Sequence, residues 1–247
     1  MIIDEFRENF LAFELDQGEL LNSAYAELGR NTEVYLKSYV RLSSFQAWHE
    51  YILVGNFSED VFKFFVEAQN DALISHVLAR QGMWRPSLQS LRSCLENILI
   101  CHYYSDHPVE LQQWATGEHK IGFAELRQYY ENHPKFKKFD LESRTCLSQL
   151  KSEYSDLSKA VHGSSTSFLM GDKSNVPNLA IPNRKNLGQW ETRQKLCLHA
   201  LNLFLIIFHQ EKLQGTAYPA MRKALANVFE KAMIRKIKDN LGVVIQT

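Results

Sequence analysis

Apolar residues recur along most of this chain at the three- and four-residue spacing that places side chains on one face of an α-helix. In the segment 85–105, for example, Leu88, Leu91 and Leu95 form such a stripe. Strand-like alternation is confined to a short tail, Val243–Ile245. Because glycine and proline are also scarce, at 11 and 6 of 247 residues, the pattern predicts an all-α fold.

Helix boundaries are predicted from capping residues, glycine and proline. An Asn31/Thr32 pair and Ser58 are expected to begin two helices, and Gly163 is expected to end a long one. The predicted helices cover residues 17–29, 32–54, 58–81, 85–105, 108–115, 119–131, 141–162, 190–213 and 218–240.

The chain contains no internal repeat and no linker that would separate two cores. We therefore expect a single-domain bundle of about eight helices over residues 1–247. Residues 1–30 would be an N-terminal appendage, and a long loop is expected near 163–189, which is rich in Ser, Asn, Gly and Pro.

The formal net charge is zero, with 28 basic and 28 acidic residues. Proteins that bind long nucleic acids nonspecifically usually carry a basic excess, so this balance weighs against that function. The charge is uneven, because residues 1–30 hold seven acidic and two basic residues, and residues 222–239 hold six basic and two acidic residues. The basic segment is a solvated helix face, a phosphate contact, or a partner for the acidic end of this or another chain.

The sequence gives no sign of export or membrane insertion. Its first residues are acidic where a signal peptide is basic, and its longest uncharged apolar run, Leu196–Phe208, is shorter than the about 20 residues that span a bilayer. We expect a cytoplasmic protein with no membrane association, no metal and no cofactor. Four cysteines lie in predicted apolar helices without forming a Cys-x-x-Cys pair, and they are expected to be buried thiols: Cys94, Cys101, Cys146 and Cys197.

Two predicted helices carry a polar stripe beside the apolar one. On helix 85–105, Arg92 and Glu96 are four residues apart and form either a weak surface ion pair or part of a site. On helix 141–162, the stripe ends at His162 in the last turn. This histidine is either a general acid or base that faces the polar loop, or a helix cap that bonds a free carbonyl.

The segment Leu157–Gly163, LSKAVHG, resembles the motif Arg-Asn-x-x-x-His-Gly at the end of a late helix in the HEPN superfamily. The run Ser87–Tyr104 is similar to the preceding family helix, which often carries Arg-x-x-x-Glu, and Arg92 and Glu96 match that pattern. The resemblance covers roughly residues 60–210, which would form a HEPN-like core. It implies a compact helical bundle, often dimeric, like the ribonucleases and toxin components of prokaryotic conflict systems.

One departure from the family motif concerns its arginine. The family's nuclease motif has four to six residues between Arg and His, but the corresponding positions before His162 hold Leu157, Asp156 and Ser155. In the family, the arginine would stabilise charge on the phosphate while the histidine handles protons during attack by the RNA 2′-hydroxyl. Arg92, from the neighbouring helix, is the candidate replacement.

Two other pairs have the motif spacing, Arg127 with His133 and Arg193 with His199. Two such pairs are no more than this composition is expected to provide by chance. His199 also lies in the most apolar predicted helix, so we interpret it as a core residue.

Two hypotheses for function follow from the resemblance. The first is an effector that binds RNA and cleaves it without a metal, with catalytic residues and substrate-binding residues on the two striped helices: His162, Arg92 and Glu96 for catalysis, and Lys159, Ser158 and Lys151 for binding. The second is a non-catalytic interaction or regulatory module that binds a protein partner. Either would act as a homo-oligomer or within a complex, in a prokaryotic defence or toxin–antitoxin system. A third hypothesis is an interaction protein that acts through its acidic and basic ends.

Overall fold

The computed structural model describes residues 2–164, 180–214 and 218–245, and all regular secondary structure in these ranges is helical. The all-α prediction is confirmed, although the described residues form eleven α-helices and not about eight. A π-helical turn, His49–Leu53, follows α2, and a 3₁₀ turn, Gln210–Leu213, follows α9. The helices are α1 (Ile2–Gly29), α2 (Thr32–Trp48), α3 (Glu59–Arg80), α4 (Trp84–Asp106), α5 (Pro108–Ala115), α6 (Phe123–Asn132), α7 (Pro134–Lys137), α8 (Asp140–His162), α9 (Arg184–Phe208), α10 (Pro219–Ala226) and α11 (Lys231–Leu241).

The centre of the fold is α9, whose residues 200–208 are almost completely buried. A helix that is hydrophobic on all sides has to be surrounded by other elements, and α2, α4, α7 and α8 pack against this one. The buried apolar side chains form one contiguous cluster that extends from Leu28 to Ile245. No helix in the described part of the chain has the length and hydrophobicity needed to cross a membrane.

The connection between α3 and α4 is made at Gly82, which also anchors the start of α9. Gly82 has φ +74°, and a Cβ at this position would lie 3.0 Å from the carbonyl oxygen of Ile181. The Ile181 N–H donates to the Gly82 carbonyl at 3.1 Å, and the Trp84 indole N–H donates to the Ile181 carbonyl at 2.6 Å. The segment that leads into α9 is therefore fixed against the α3–α4 turn, where only glycine fits.

All three predicted helix ends are confirmed. The Ser58 hydroxyl accepts a hydrogen bond from the Val61 N–H at the start of α3, and Gly163 ends α8 in the left-handed conformation. Helix α2 begins at Thr32 after Asn31, as predicted, but the Asn31 side chain donates to the Leu28 carbonyl at the end of α1 and makes no capping hydrogen bond to α2. Only a short turn separates α1 from α2, so the asparagine serves the end of the first helix.

The first and last predicted helices differ most from the structure. The first begins at Ile2 and not near residue 17, because the helical apolar period continues through the acidic stretch although these residues lie outside the core. The predicted helix 218–240 is divided into α10 and α11. The turn between them buries Val228 and Phe229.

Two smaller predictions also change. The tail Val243–Ile245 is not a strand, and the side chains of Val243 and Ile245 are buried in the core instead. The loop near 163–189 ends earlier than expected, since Asn183 caps α9 by accepting hydrogen bonds from the N–H groups of Lys185 and Asn186. Residues 165–179 of the predicted loop lie outside the described residues.

Buried polar side chains join α2 to α9. Arg41 donates through Nε and Nη2 to the Gln194 side-chain oxygen, at 3.0 and 2.9 Å, and its Nη2 lies 3.6 Å from a carboxylate oxygen of Glu191. The Trp48 indole N–H donates to the Asn202 side-chain oxygen at 2.9 Å. Because each of these groups would be costly to bury without its partner, they fix the register of the two helices.

A pair of buried histidines lies beside the aromatic end of α9. Nδ1 of His102 is 2.8 Å from the Ile98 carbonyl oxygen, which only accepts, so Nδ1 carries the proton. Nε2 of His102 therefore accepts from the Nε2–H of His209 at 3.0 Å, and both rings are neutral. Burial lowers the pKa of His102 to about 4, and burial and the neighbouring His102 lower the pKa of His209 as well.

We expect this pair to make the fold sensitive to acid. In the unfolded chain His102 takes up a proton near its ordinary pKa of 6.5, whereas in the folded protein it does so only near pH 4. The stability is therefore complete above pH 6.5 and is lost as the pH falls towards 4, by about 3 kcal/mol for His102. Urea unfolding of the wild type and of His102→Phe at several pH values in this window measures the effect. The wild type should lose more stability than the variant, and parallel pH curves would contradict the neutral buried pair.

Candidate functional site

The end of α8 is the site that the sequence indicates. His162 is the last residue of α8 and is exposed, and Gly163 follows it with φ +58°. Among the described residues, His162 makes no hydrogen bond, so it does not cap the helix. Its ring is available to solvent.

Arg85 caps the carbonyl end of α8 from the neighbouring helix. Its Nε donates to the Ala160 carbonyl at 2.8 Å and its Nη2 donates to the Val161 carbonyl at 2.9 Å. A cation at this position compensates the free carbonyls and the negative end of the helix dipole. Arg85 lies on the same face of α4 as Arg92, seven residues earlier, but the sequence does not reveal its contact with α8, because the contact depends on how α4 and α8 are aligned.

Arg92 is the centre of a half-buried cluster. Its Nη2 bonds a Glu96 carboxylate oxygen at 3.1 Å and the Tyr154 hydroxyl oxygen at 2.6 Å. The Tyr154 ring stacks on Phe123, with centroids 3.9 Å apart. Burial raises the pKa of Glu96, while Arg92 and Tyr154 lower it. The predicted Arg92–Glu96 pair is present, and it also connects α4 to α8.

His162 lies apart from this cluster along α8. Arg92 contacts α8 at Tyr154, which is eight residues before His162 and therefore about 12 Å away along the helix axis. Arg85 is the arginine at the level of the helix end, since it bonds the two carbonyls just before His162. The three predicted catalytic residues are thus divided between two levels of α8, with Arg92 and Glu96 together and His162 elsewhere.

The predicted substrate-binding residues are also distributed along α8. The Ser158 hydroxyl donates to the Tyr154 carbonyl of its own helix at 2.7 Å, and Lys159 pairs with Asp156 at 2.6 Å. Lys151 lies nearer the start of the helix, where it lines a cavity of about 580 Å³ together with Arg127 and other side chains. Lys151 therefore faces a different region from His162.

A second charged cluster, on α8 and α9, was not predicted. Arg193 Nη1 lies 3.1 Å from an oxygen of Glu153 and 2.6 Å from an oxygen of Asp156. Glu153 is only 3% exposed, and its second oxygen has no hydrogen-bond partner among the described residues. Burial raises the pKa of Glu153 to about 7, with Arg193 acting in the opposite direction and Asp156 adding to the rise. Sequence spacing offered no signal for this contact between separate helices.

The two arginine–histidine pairs with the motif spacing do not form sites. Arg127 pairs with Glu131 at 3.3 Å, while His133 bonds Asp106 at 3.2 Å. Arg193 faces the acids of α8, as described above.

The prediction that His199 is a core residue is wrong. The ring is only partly buried, and it borders a cavity of about 300 Å³ that is also lined by Lys195 and Lys236. Its Nδ1 lies 3.1 Å from the Gln149 side-chain oxygen, and its ring meets Phe229 edge-on. Phe229 belongs to the turn between α10 and α11, so the apolar sequence of α9 could not indicate this contact.

The described residues contain no group of three or more His, Cys, Asp or Glu side chains that could hold a metal ion. All four cysteines are buried and unpaired, and burial raises the pKa of each thiol. They act as small apolar side chains in the packing of the core.

Comparison of the chain with protein-family models, with curated proteins and with solved structures gives no significant match. The interpretation of the site therefore depends on its own geometry.

Glu153 should oppose the acid sensitivity of the histidine pair. Its folded pKa of about 7 lies above the ordinary value of 4.5, so its stabilising contribution is complete below pH 4.5 and is lost as the pH rises through 7. We expect Glu153→Gln to gain stability relative to the wild type between pH 5 and 8, by about 2 kcal/mol after allowance for screening. Urea unfolding across this range measures the difference. A stability difference that does not change with pH would show that Glu153 titrates normally.

Proposed function

We propose that this chain is a HEPN-like helical interaction module that does not cleave RNA. In this module the Arg92 cluster holds α4 and α8 together. The observation that carries the proposal is the position of Arg92, which bonds Glu96 and Tyr154 two helical turns from His162. An RNA phosphate at His162 would be too far from this guanidinium to share it.

The electrostatics of the cluster support the same role. Arg92 offsets the charge of a half-buried carboxylate, and withdrawing it towards a phosphate would leave Glu96 without its cation. Arg85 is held by two backbone carbonyls in a similar way. The described contacts of Arg85 and Arg92 therefore join α4 to α8, and they favour this role over the binding of a polyanion.

A protein partner suits the surface of the molecule better than a nucleic acid does. The formal net charge is zero, and large apolar side chains are exposed on the first three helices, including Phe6, Phe10, Tyr39 and Ile74. Contiguous apolar surface marks interaction sites in most proteins. From the HEPN resemblance, we place such a module in a prokaryotic defence or toxin–antitoxin system, acting as a homo-oligomer or in a complex.

Replacement of Arg92 should destabilise the fold. We expect Arg92→Met to lower the free energy of unfolding by about 1–2 kcal/mol, because Glu96 and Tyr154 lose a charged hydrogen-bond partner. Arg144→Met is the matched control, since Arg144 forms an exposed pair with Asp140 on α8 and should change stability by less than about 0.5 kcal/mol. Urea unfolding of the three proteins provides the measurement. If both variants lost the same small amount of unfolding free energy, Arg92 would not have the proposed structural role.

RNA cleavage at the end of α8 is the second candidate function, and the position of Arg85 favours it. The Arg85 guanidinium lies 3.6 Å from the point that a Cβ on Gly163 would occupy, directly beside His162. In this arrangement Arg85, and not Arg92, would replace the motif arginine and offset phosphate charge, while His162 would transfer protons during attack by the 2′-hydroxyl.

Incubation with single-stranded RNA distinguishes the two functions. We expect purified wild type to degrade RNA no faster than His162→Ala, because the cluster that would stabilise charge is separate from the histidine. His133→Ala is the control for loss of an unrelated histidine. If the wild type and His133→Ala cleave RNA, and His162→Ala and a folded Arg85→Met do not, the second function replaces the first.

A further inference from the structure

The first helix carries a face that is covered at one end only. α1 contains 28 residues, but its buried side chains are Ala24 and Leu28, near the end that packs on α3. Gln17, Leu20 and Leu21 are partly buried on the same side. The rest of the helix extends away from the body.

The face of α1 that packs on the body remains apolar along the part of the helix that extends into solvent. Steps of three and four residues back from Gln17 lead to Phe13, Phe10, Phe6 and Ile3, which are 55–81% exposed. We call these four side chains the α1 stripe. The four side chains of the stripe are uncharged, and of the acidic residues of the helix Glu14, four residues after Phe10, borders the stripe. An amphipathic helix presents such a face to another apolar surface.

Exposed apolar side chains also occur on α2 and α3, and two of them, Tyr39 and Leu73, line a cavity between the two helices. These exposed side chains are 45–61% accessible, and we call them the α2–α3 groove: Leu36, Tyr39, Leu73, Ile74 and Val77. The cavity, of about 330 Å³, continues the groove past Tyr39 and Leu73, and its lining contains no charged side chain.

The α1 stripe and the α2–α3 groove match in length. Ile3 to Phe13 spans ten residues, or about 15 Å of helix, and Leu36 to Gln46 on α2 spans the same distance. Both surfaces are apolar and uncharged, so the acids of α1 would remain in solvent while the stripe is buried. This is the arrangement in which an amphipathic helix lies in a groove with anchors at three- and four-residue steps.

A second copy of the chain can bury both the α1 stripe and the α2–α3 groove at the same time. The stripe of α1 does not reach its own groove, since both remain exposed in the single chain and α1 is covered only from Gln17 to its end. In a two-fold dimer, each α1 enters the groove of the other copy. If nine side chains per copy each bury about 100 Å², each copy loses about 900 Å², close to the roughly 800 Å² of a stable interface.

We propose that this protein forms a homodimer by reciprocal docking of the α1 stripe of each copy into the α2–α3 groove of the other. Pairing of α1 with α1 is disfavoured because residues 1–30 carry seven acidic and two basic residues, which would repel across such an interface. The dimer leaves the end of α8 free, so it is independent of whether His162 acts on RNA.

Light scattering coupled to size-exclusion chromatography tests the proposal on the full chain. The wild type should have twice the mass of a single chain. Phe6→Glu/Phe10→Glu in the stripe and Tyr39→Glu/Ile74→Glu in the groove should each be monomeric. Leu11→Glu/Leu15→Glu is the matched control, because Leu11 and Leu15 are similarly exposed on the opposite side of α1, and it should remain dimeric. Circular dichroism and thermal unfolding establish that each variant is folded.

Mixing the two monomeric variants tests the reciprocal geometry. The mixture retains one intact stripe and one intact groove, so it should form a heterodimer that neither variant forms alone, with affinity well below that of the wild type. A monomeric wild type would overturn the proposal. Dimerisation of the groove variant alone would also overturn it, in favour of α1–α1 pairing, and so would stripe-dependent binding of a monomer to phosphatidylserine vesicles, in favour of a membrane surface.

Discussion

Burial of residues 200–208 of α9 is the constraint on which the rest of the structure depends. This segment is apolar on every side except at Asn202, whose amide accepts from Trp48 and donates to Ser44 and to its own helix. Helices α2, α4, α7 and α8 have to cover it, and the Asn202 contacts fix the register of α2. The alignment of α4 with α8 is a consequence of the same covering. That alignment brings Arg85 to the end of α8 and Arg92 to its middle, so the geometry of the candidate site is determined by packing around α9.

The features that sequence reasoning predicts correctly are local ones. The helical period, the Ser58 cap, the Gly163 stop and the Arg92–Glu96 pair each involve residues within one helical turn of one another. The contacts that define the site join residues much further apart in sequence: 75 residues for Arg85 and Ala160, 62 for Arg92 and Tyr154, and 40 for Arg193 and Glu153. Such contacts depend on helix register, which periodicity alone does not determine. The position of His199 and the division between α10 and α11 escaped prediction for the same reason, because both depend on which side chains the turn near Phe229 buries.

In the described part of the chain, three arginines from other helices bond to α8, and each is bound to a different kind of group. Arg85 bonds backbone carbonyls, Arg92 bonds a carboxylate and a phenol, and Arg193 bonds the two acids Glu153 and Asp156. A phosphate would have to compete with these partners, and it would leave carbonyls or buried carboxylates uncompensated. Glu153, with its pKa raised to about 7, already lacks full compensation. The charge around α8 is therefore arranged for cohesion between helices, and the exposed His162 lies outside this network of described contacts.

The distribution of charge on α1 limits the surfaces with which its apolar stripe can associate. A chain with zero formal net charge has little overall repulsion to keep copies apart. An uncovered stripe of phenylalanines on such a chain would associate with any apolar surface, unless local charge restricts what it can meet. The acids of α1 supply that restriction, because they disfavour a second acidic helix and an acidic membrane, while they cost nothing against the uncharged lining beside Tyr39. Sequence reasoning treated residues 1–30 as an appendage, although Ala24 and Leu28 are buried in the body. Their helical period is better understood as half of a surface whose complement lies on α2 and α3.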